Sequence, residues 1–396
     1  MDTLSKARQI KDEVISWRRE IHRWPELGCQ EVKTCALVME ALKALGVECR
    51  VAAGTGVIGL IKGGMPGKTI ALRADMDALP IQEESGLPFA SQRPGIMHAC
   101  GHDAHAAMLL GAAKILAGMA SKLKGNVKLL FQPSEEHHPG GAKPLIAEGA
   151  LENPRVDLVV GLHVDPLMPG GHLGLKTGTV MAAADTFELR ILGKGGHGAA
   201  PHMTVDPVVL AAQVVLALQT IASRRVDPLE PVVVTVGSIH GGEVNNIIPE
   251  EVSLKGTVRT LSPLLRQRVQ GMLVELVSGI VRGAGGDFDL QYRPGYPPVV
   301  NDTQAASLVK AAAAKVLGPE GVVEVHRASM GGEDFAYYAQ EVPGCFAFLG
   351  VGTPDGEPVP WHNPRFKLDE DALIYGTAVL VQAALDFLGG NRDAEK

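Results

Sequence analysis

The sequence predicts an α/β protein, a mostly parallel-sheet domain interrupted by a smaller α+β insertion of four strands and two helices. Three observations carry this. Short apolar runs bounded by Gly, Pro or Asn alternate with helical segments through residues 50–165 and again after residue 300. Between them, over 184–293, strand-like alternation with two long helices replaces that rhythm. The length, 396 residues of which 46% are hydrophobic, allows two or three domains that each bury a core. The larger domain reads as 1–183 with 294–396, and the insertion as 184–293.

The first 50 residues carry two helical stripes, Ile10, Val14, Trp17 and Ile21, then Leu37, Leu42 and Leu45, the second ended by Gly46. Strands follow at 57–61, 69–72, 127–131 and 158–163, with a helix at 104–119. A parallel sheet covered on both faces fits that order, with functional loops at the strand C-termini. In the insertion, TFELRILG, VVVTVGSI and VSLKGTVRTL read as strands, and 207–223 and 263–282 as helices. The proline-rich run YRPGYPPVV, 292–300, reads as a hinge or return linker. A helix at 302–317, a strand near 345–349 and a helix at 370–388 close the chain.

Composition excludes several roles. With 37 basic against 44 acidic side chains and a net charge of −7, no clustered basic face exists for nucleic acid. Cys29, Cys35, Cys49, Cys100 and Cys345 are odd in number and scattered, which fits a reduced, cytoplasmic setting and no disulfide framework. The N-terminal stretch reads as a charged amphipathic helix without a secretory signal, and no run approaches the ~18 apolar residues of a membrane span.

The chemistry concentrates in GIMHACGHDAHAAM, where His98, Cys100, His102, Asp103 and His105 fall together before a helix. Imidazole and thiolate suit borderline metals, and Cys100 and His102 converge on one ion if their loop is extended. A redox or structural thiol is the competing reading. In LLFQPSEEHHPGG, a strand ends and presents Glu135 and Glu136. Two adjacent carboxylates in a dry site call for a cation, which makes a metal ligand beside a general base, whereas solvated surface glutamates need nothing. His163, His197 and His362 stand apart, each also readable as a satisfied structural residue, and glycines around His197 permit close approach. His137 and His138 read as solvated loop residues, and His22, His172, His240 and His326 have no ligand-like company. Asp75 and Asp77 either orient a ligand imidazole or cap a turn. In SMGGEDFAYY, Glu333 and Asp334 read as helix N-capping acids, with room left by two glycines for a substrate backbone.

Taken together, LRADMDALP, MHACGHDAHAAML, FQPSEE, GLHV, GKGGHGAAPH, NNIIPEE with GTVRT, and GGEDFAYY resemble, in order, the aminoacylase/carboxypeptidase family of dinuclear metallohydrolases. The likeness spans residues 15–365 and is strongest to the branch of hippurate hydrolases and indole-acetyl-amino-acid hydrolases. It implies that Cys100, His102, Glu136, His163 and His362 bind two divalent metals, zinc above all, with manganese, cobalt or nickel as alternatives. It implies Glu135 as the base for the attacking water. It also implies that His197 reaches into a partner subunit's site to stabilise the oxyanion, and that Asn246 and Arg259 bind substrate, Arg259 through the free carboxylate. The insertion then serves as lid and dimerisation domain of a homodimer or homotetramer. Asp75 replaces a metal-binding His of many relatives, Cys100 replaces a bridging carboxylate, and His137-His138-Pro139 replaces a glycine-rich run. The activity expected is hydrolysis of N-acyl-amino acids, with a dipeptidase or carboxypeptidase as the alternative.

Overall fold

The computed structural model describes residues 2–353 and 357–390. They divide into two compact units, the larger drawn from residues up to 178, 300–327 and from 334 on, the smaller from Thr179–Val299 and Ala328–Glu333. The smaller unit thus gains a segment that the sequence pattern places elsewhere. Backbone hydrogen bonds hold it there, from Ala182 N to Ser329 O and Gly331 O, both 3.0 Å, and from Ser329 N to Val180 O, 2.9 Å.

In the larger unit an eight-stranded sheet runs in the order Glu48–Ala52, Gly56–Lys62, Lys124–Gln132, Met65–Asp75, Leu158–Pro169, Gly344–Gly352, Leu173–Leu175, Val322–Glu324. Met65–Asp75 is parallel to both neighbours, and Leu158–Pro169 is parallel to Gly344–Gly352. These strands are apolar runs rather than alternating ones because helices cover both faces. The helix His102–Ala117 is buried almost throughout and packs on Lys11–Arg23, on Leu373–Gly389 and on the sheet. Its Leu109, Leu110 and Leu116 are fully buried, each contributing roughly 1.5–3 kcal/mol by leaving water. The register sets Asp75 opposite Gln132 and His163 opposite Phe348, so the polar residues of this layer gather at the C-terminal ends of the parallel strands.

The smaller unit is an antiparallel sheet, Val232–His240, Glu251–Thr260, Ala183–Leu192, Asp287–Tyr296, with two helices against one face. Phe187, Leu189 and Ile191, alternate residues of one strand, meet Leu210, Val214 and Leu218 of Pro207–Thr220 and Val269, Leu273 and Val277 of Pro263–Gly283. Each helix starts at a capping side chain, Asp206 or Ser262, followed by proline. The proline-rich run differs from the linker expected of it. Its first part continues the edge strand to Tyr296, and Pro294 is tolerated because the register breaks between Arg293 and Tyr296. Buried Asp185 pins this bend, accepting from Tyr292 Oη at 2.7 Å, Gly295 N at 2.9 Å and the Arg266 guanidinium.

Two helices, Pro207–Arg225 and Glu370–Gly389, have the length and hydropathy of a membrane span. Two thirds of the second lies inside the larger unit, as a core helix does.

Candidate metal centre

Cys100 and His102 flank Gly101, whose φ of 85° turns the chain into the helix His102–Ala117. The two donors therefore converge through a left-handed turn rather than an extended loop. Only glycine fits, because a Cβ there would also lie 2.4 Å from Val164 Cγ2. That close approach sets the turn against the strand carrying His163. Donor atoms of Cys100, His102 and His163 lie within 4.8 Å of one another, as do those of Cys100, Glu136 and His362 and those of His102, Glu135 and Glu136. The larger unit thus brings all six expected residues together.

Hydrogen bonds at Nδ1 turn the other nitrogen of His163 and of His102 toward the cluster. His163 Nδ1 donates to Val164 O at 2.8 Å, leaving Nε2 with its lone pair 3.4 Å from Cys100 Sγ. His102 Nδ1 lies 3.2 Å from Asp77 Oδ1, and its buried Nε2 has no hydrogen-bond partner. His362 adopts φ 61°, its N–H bonds Ala99 O at 2.9 Å, and its Nε2 lies 3.2 Å from Glu136 Oε1. The Asp77 carboxylate that faces His102 also accepts from Glu135 N and Glu136 N, both at 2.9 Å. Asp75, the other expected orienting carboxylate, is held by Arg73 at 2.6 Å and by His105 Nδ1 at 2.5 Å. The second nitrogen of His105 accepts from Val164 N at 2.9 Å, so this ring braces the His163 strand.

The electrostatics favour a cation. Burial pushes the Cys100 thiol well up, and the carboxylates of Glu136, Glu135 and Asp75 push it further. Burial pulls His102 down, but Asp75, Asp77 and Glu136 outweigh it and raise this imidazole to about 10. Burial, then His105, keeps His163 well below the usual range and neutral. Burial raises Glu136, yet His362 and His102 hold it below its ordinary value, while the Glu136 hydrogen bond raises His362. A thiol, three imidazoles and a carboxylate, crowded at this spacing with one orphaned nitrogen, fit a divalent metal ion. Binding would displace protons from Cys100 and His102 and reverse the sign of the local field.

His197, Asn246 and Arg259 belong to the smaller unit. A two-stranded ladder pairs Ile247 with His197, and Gly198 N donates to Asn246 O at 2.8 Å, so the first two are neighbours. Ala199 N donates to His197 Nδ1 at 3.0 Å, which leaves an exposed Nε2–H as a donor. Arg259 lies elsewhere, on Glu251–Thr260, with its Nη1 turned to Thr257 Oγ1 and to the carbonyls of Val258, 3.3 Å, and Asp185, 3.5 Å.

Residues 71–386 match the peptidase family M20/M25/M40. The chain belongs to that family. It is 43% identical over 391 residues to N-acetyl-L-cysteine deacetylase of Bacillus subtilis, covering 98% of this chain and 91% of that one. To the N-acyl-L-amino acid amidohydrolase of Geobacillus stearothermophilus it is 46% identical over 294 residues, 74% of this chain and 79% of that one. Among solved structures, the Bacillus subtilis YXEP protein, a dinuclear metal-binding peptidase of the M20 family, superposes with a TM-score of 0.83 at 36% identity, covering 96% and 99% of the two chains.

Buried groups that the sequence pattern does not single out surround the donor cluster. His22, which has no ligand-like company in the sequence, is fully buried with Nδ1 2.8 Å from Asp103 and Nε2 3.1 Å from Glu83. Asp334 caps no helix, since Ala336–Glu341 starts at Phe335 without a side-chain cap. It is wholly buried and paired with Arg73 at 2.9 Å. Glu31, also buried, accepts from Ser134 N at 2.7 Å and steadies the turn before the two glutamates. The one available signal was the crowding of Arg73, Asp75 and Asp77 in a single apolar strand end.

Proposed function

We propose that this chain hydrolyses the amide bond of N-acyl-amino acids, releasing a free amino acid and a carboxylic acid. The observation that carries the reading is Glu135 standing beside a buried donor cluster, its backbone fixed by the same Asp77 that orients His102. Cys100, His102, Glu136, His163 and His362 would hold two divalent ions, zinc by the softness of the thiolate, with manganese, cobalt or nickel as alternatives. When bound, these ions polarise the scissile carbonyl and make water acidic enough to deprotonate near neutrality.

Glu135 takes the proton of the attacking water and returns it to the amine nitrogen as the C–N bond breaks. His197, with Nε2–H exposed, donates to the carbonyl oxygen as negative charge develops there. Arg259 pairs with the free carboxylate of the amino-acid half, and Asn246 hydrogen-bonds the substrate beside His197. His197 serves the site of a partner subunit in a homodimer or homotetramer joined through the smaller unit, which also acts as a lid. The exposed Val209 and Leu216 of Pro207–Thr220 support that contact surface. Five free cysteines, with no disulfide among them, support a cytoplasmic setting.

A peptidase acting on short peptides is the second reading, favoured by the likeness to the B. subtilis dinuclear metal-binding peptidase. A panel of N-acetyl- and N-benzoyl-amino acids and dipeptides, assayed with zinc, manganese and cobalt, separates the two. N-acyl substrates should be cleaved with kcat/KM at least about tenfold above dipeptides. Preference for dipeptides would replace the first reading with the second.

A further inference from the structure

The segment 133–141 carries Glu135 and Glu136 between the strand Lys124–Gln132 and the short helix Ala142–Ala147. One buried carboxylate touches both of its ends. Asp334 Oδ1 and Oδ2 accept from Gln132 Nε2 at 2.7 and 2.8 Å, and Oδ2 accepts from Ala142 N at 3.0 Å. The ends are pressed together, since a Cβ on Gly141 would lie 1.8 Å from Pro133 O. Arg73 anchors the clamp, donating Nη2 to Asp334 at 2.9 Å, Nε to Gln132 Oε1 at 2.9 Å and Nη1 to Asp75 at 2.6 Å. Through Asp75 and His105 the same chain of bonds reaches Val164 N, beside His163. A carboxylate oxygen of Asp334 also lies within 4.8 Å of one of Glu135.

A buried ion pair is weak evidence for stability, because desolvation offsets most of its attraction. What it does well is select one geometry. We propose that Asp334 is a positioning residue for the proposed amidohydrolase reaction: it pins both ends of the glutamate loop, so that Glu135 meets the attacking water and Glu136 meets the metals in register with His163. A loop held at one end only would let Glu135 wander by a fraction of an ångström to an ångström, enough to cost on the order of 100-fold in rate.

The test uses the full-length, metal-loaded enzyme and Asp334→Asn, which keeps shape and one acceptor but turns an NH2 group toward Gln132 or Ala142 N. Expected are a kcat lower by about 10- to 100-fold, KM for an N-acyl-amino acid within about threefold and unchanged metal content. Hydrogen exchange, read by mass spectrometry on metal-loaded and chelated protein, should accelerate in peptides spanning 132–142. Exchange needs no turnover, so it tests Asp334 even if the substrate assignment fails. Gln132→Met breaks the same clamp from the other side, and the double variant should be no slower than the worse single one. Gln132→Met also carries the test if Asp334→Asn does not fold. Asp302, which caps the helix Thr303–Leu317 through Gln304 N and Ala305 N, supplies the contrast: Asp302→Ala should lower the thermal midpoint without changing kcat. A folded clamp variant with wild-type kcat and loop exchange, or a kcat loss that tracks lost metal, would overturn the assignment.

Discussion

Asp77→Asn is the most informative single change around the cluster, because one side chain holds both a histidine and the glutamate pair. Asp77 is 1% exposed and accepts from Glu135 N and Glu136 N at 2.9 Å while facing His102 Nδ1 at 3.2 Å. An amide retains one acceptor oxygen and sets an NH2 group against a remaining N–H. Losing one hydrogen bond to a charged acceptor costs about 1.5–3 kcal/mol of stability. Loss of the carboxylate behind a ligand histidine weakens metal binding about 10- to 100-fold, or about 1.4–2.7 kcal/mol. Competition against a chromogenic chelator gives the affinity, and calorimetry of the chelated protein gives the stability. Unchanged metal affinity with an unchanged thermal midpoint would refute the idea that Asp77 organises the site.

Glu135→Gln should keep its metals and lose at least about 10²- to 10⁴-fold in turnover; retention of a tenth of wild-type rate would remove Glu135 as the base. Mixing Glu135→Gln with His197→Ala should restore about one quarter of wild-type activity after subunit exchange, since half the dimers hold one site with both residues intact. No recovery despite proven exchange would confine His197 to its own chain. Metal uptake at neutral pH should release roughly two protons, one from the Cys100 thiol held high by burial and nearby carboxylates and one from His102, raised to about 10. Titration calorimetry in buffers of different ionisation enthalpy measures that number, and release near zero would contradict the donor set. Burial lowers His98 to about 4, so it stays neutral when folded while the unfolded chain takes up a proton below pH ~6.5. His98 should therefore contribute a loss of up to about 3 kcal/mol to the chelated protein as pH falls from ~6.5 to 4, on top of that from the other buried neutral imidazoles, and His98→Gln should make the slope shallower.

The larger sheet was legible because strands covered on both faces leave unbroken apolar runs, and the donors were legible because Cys, His and Glu crowd at strand ends. The positioning groups were not, for a physical reason. Arg73 and Asp334 are 261 residues apart, and an arginine that bridges two buried carboxylates looks the same in sequence as one that faces water. His22 was passed over for the same cause, since its partners Asp103 and Glu83 come from other parts of the chain. The proline-rich 292–300 misled because proline marks linkers and also edge-strand bulges, and only Asp185, buried beneath it, distinguishes them.

Stepwise reconstitution of the chelated protein tests the central claim most directly, with bound metal and hydrolysis of an N-acyl-amino acid read on the same samples. Wild type should take up two ions per chain and gain hydrolysis in step with them, whereas His102→Ala should bind fewer and stay inactive. Hydrolysis by metal-free protein, or full metal uptake with full activity by His102→Ala, would contradict it.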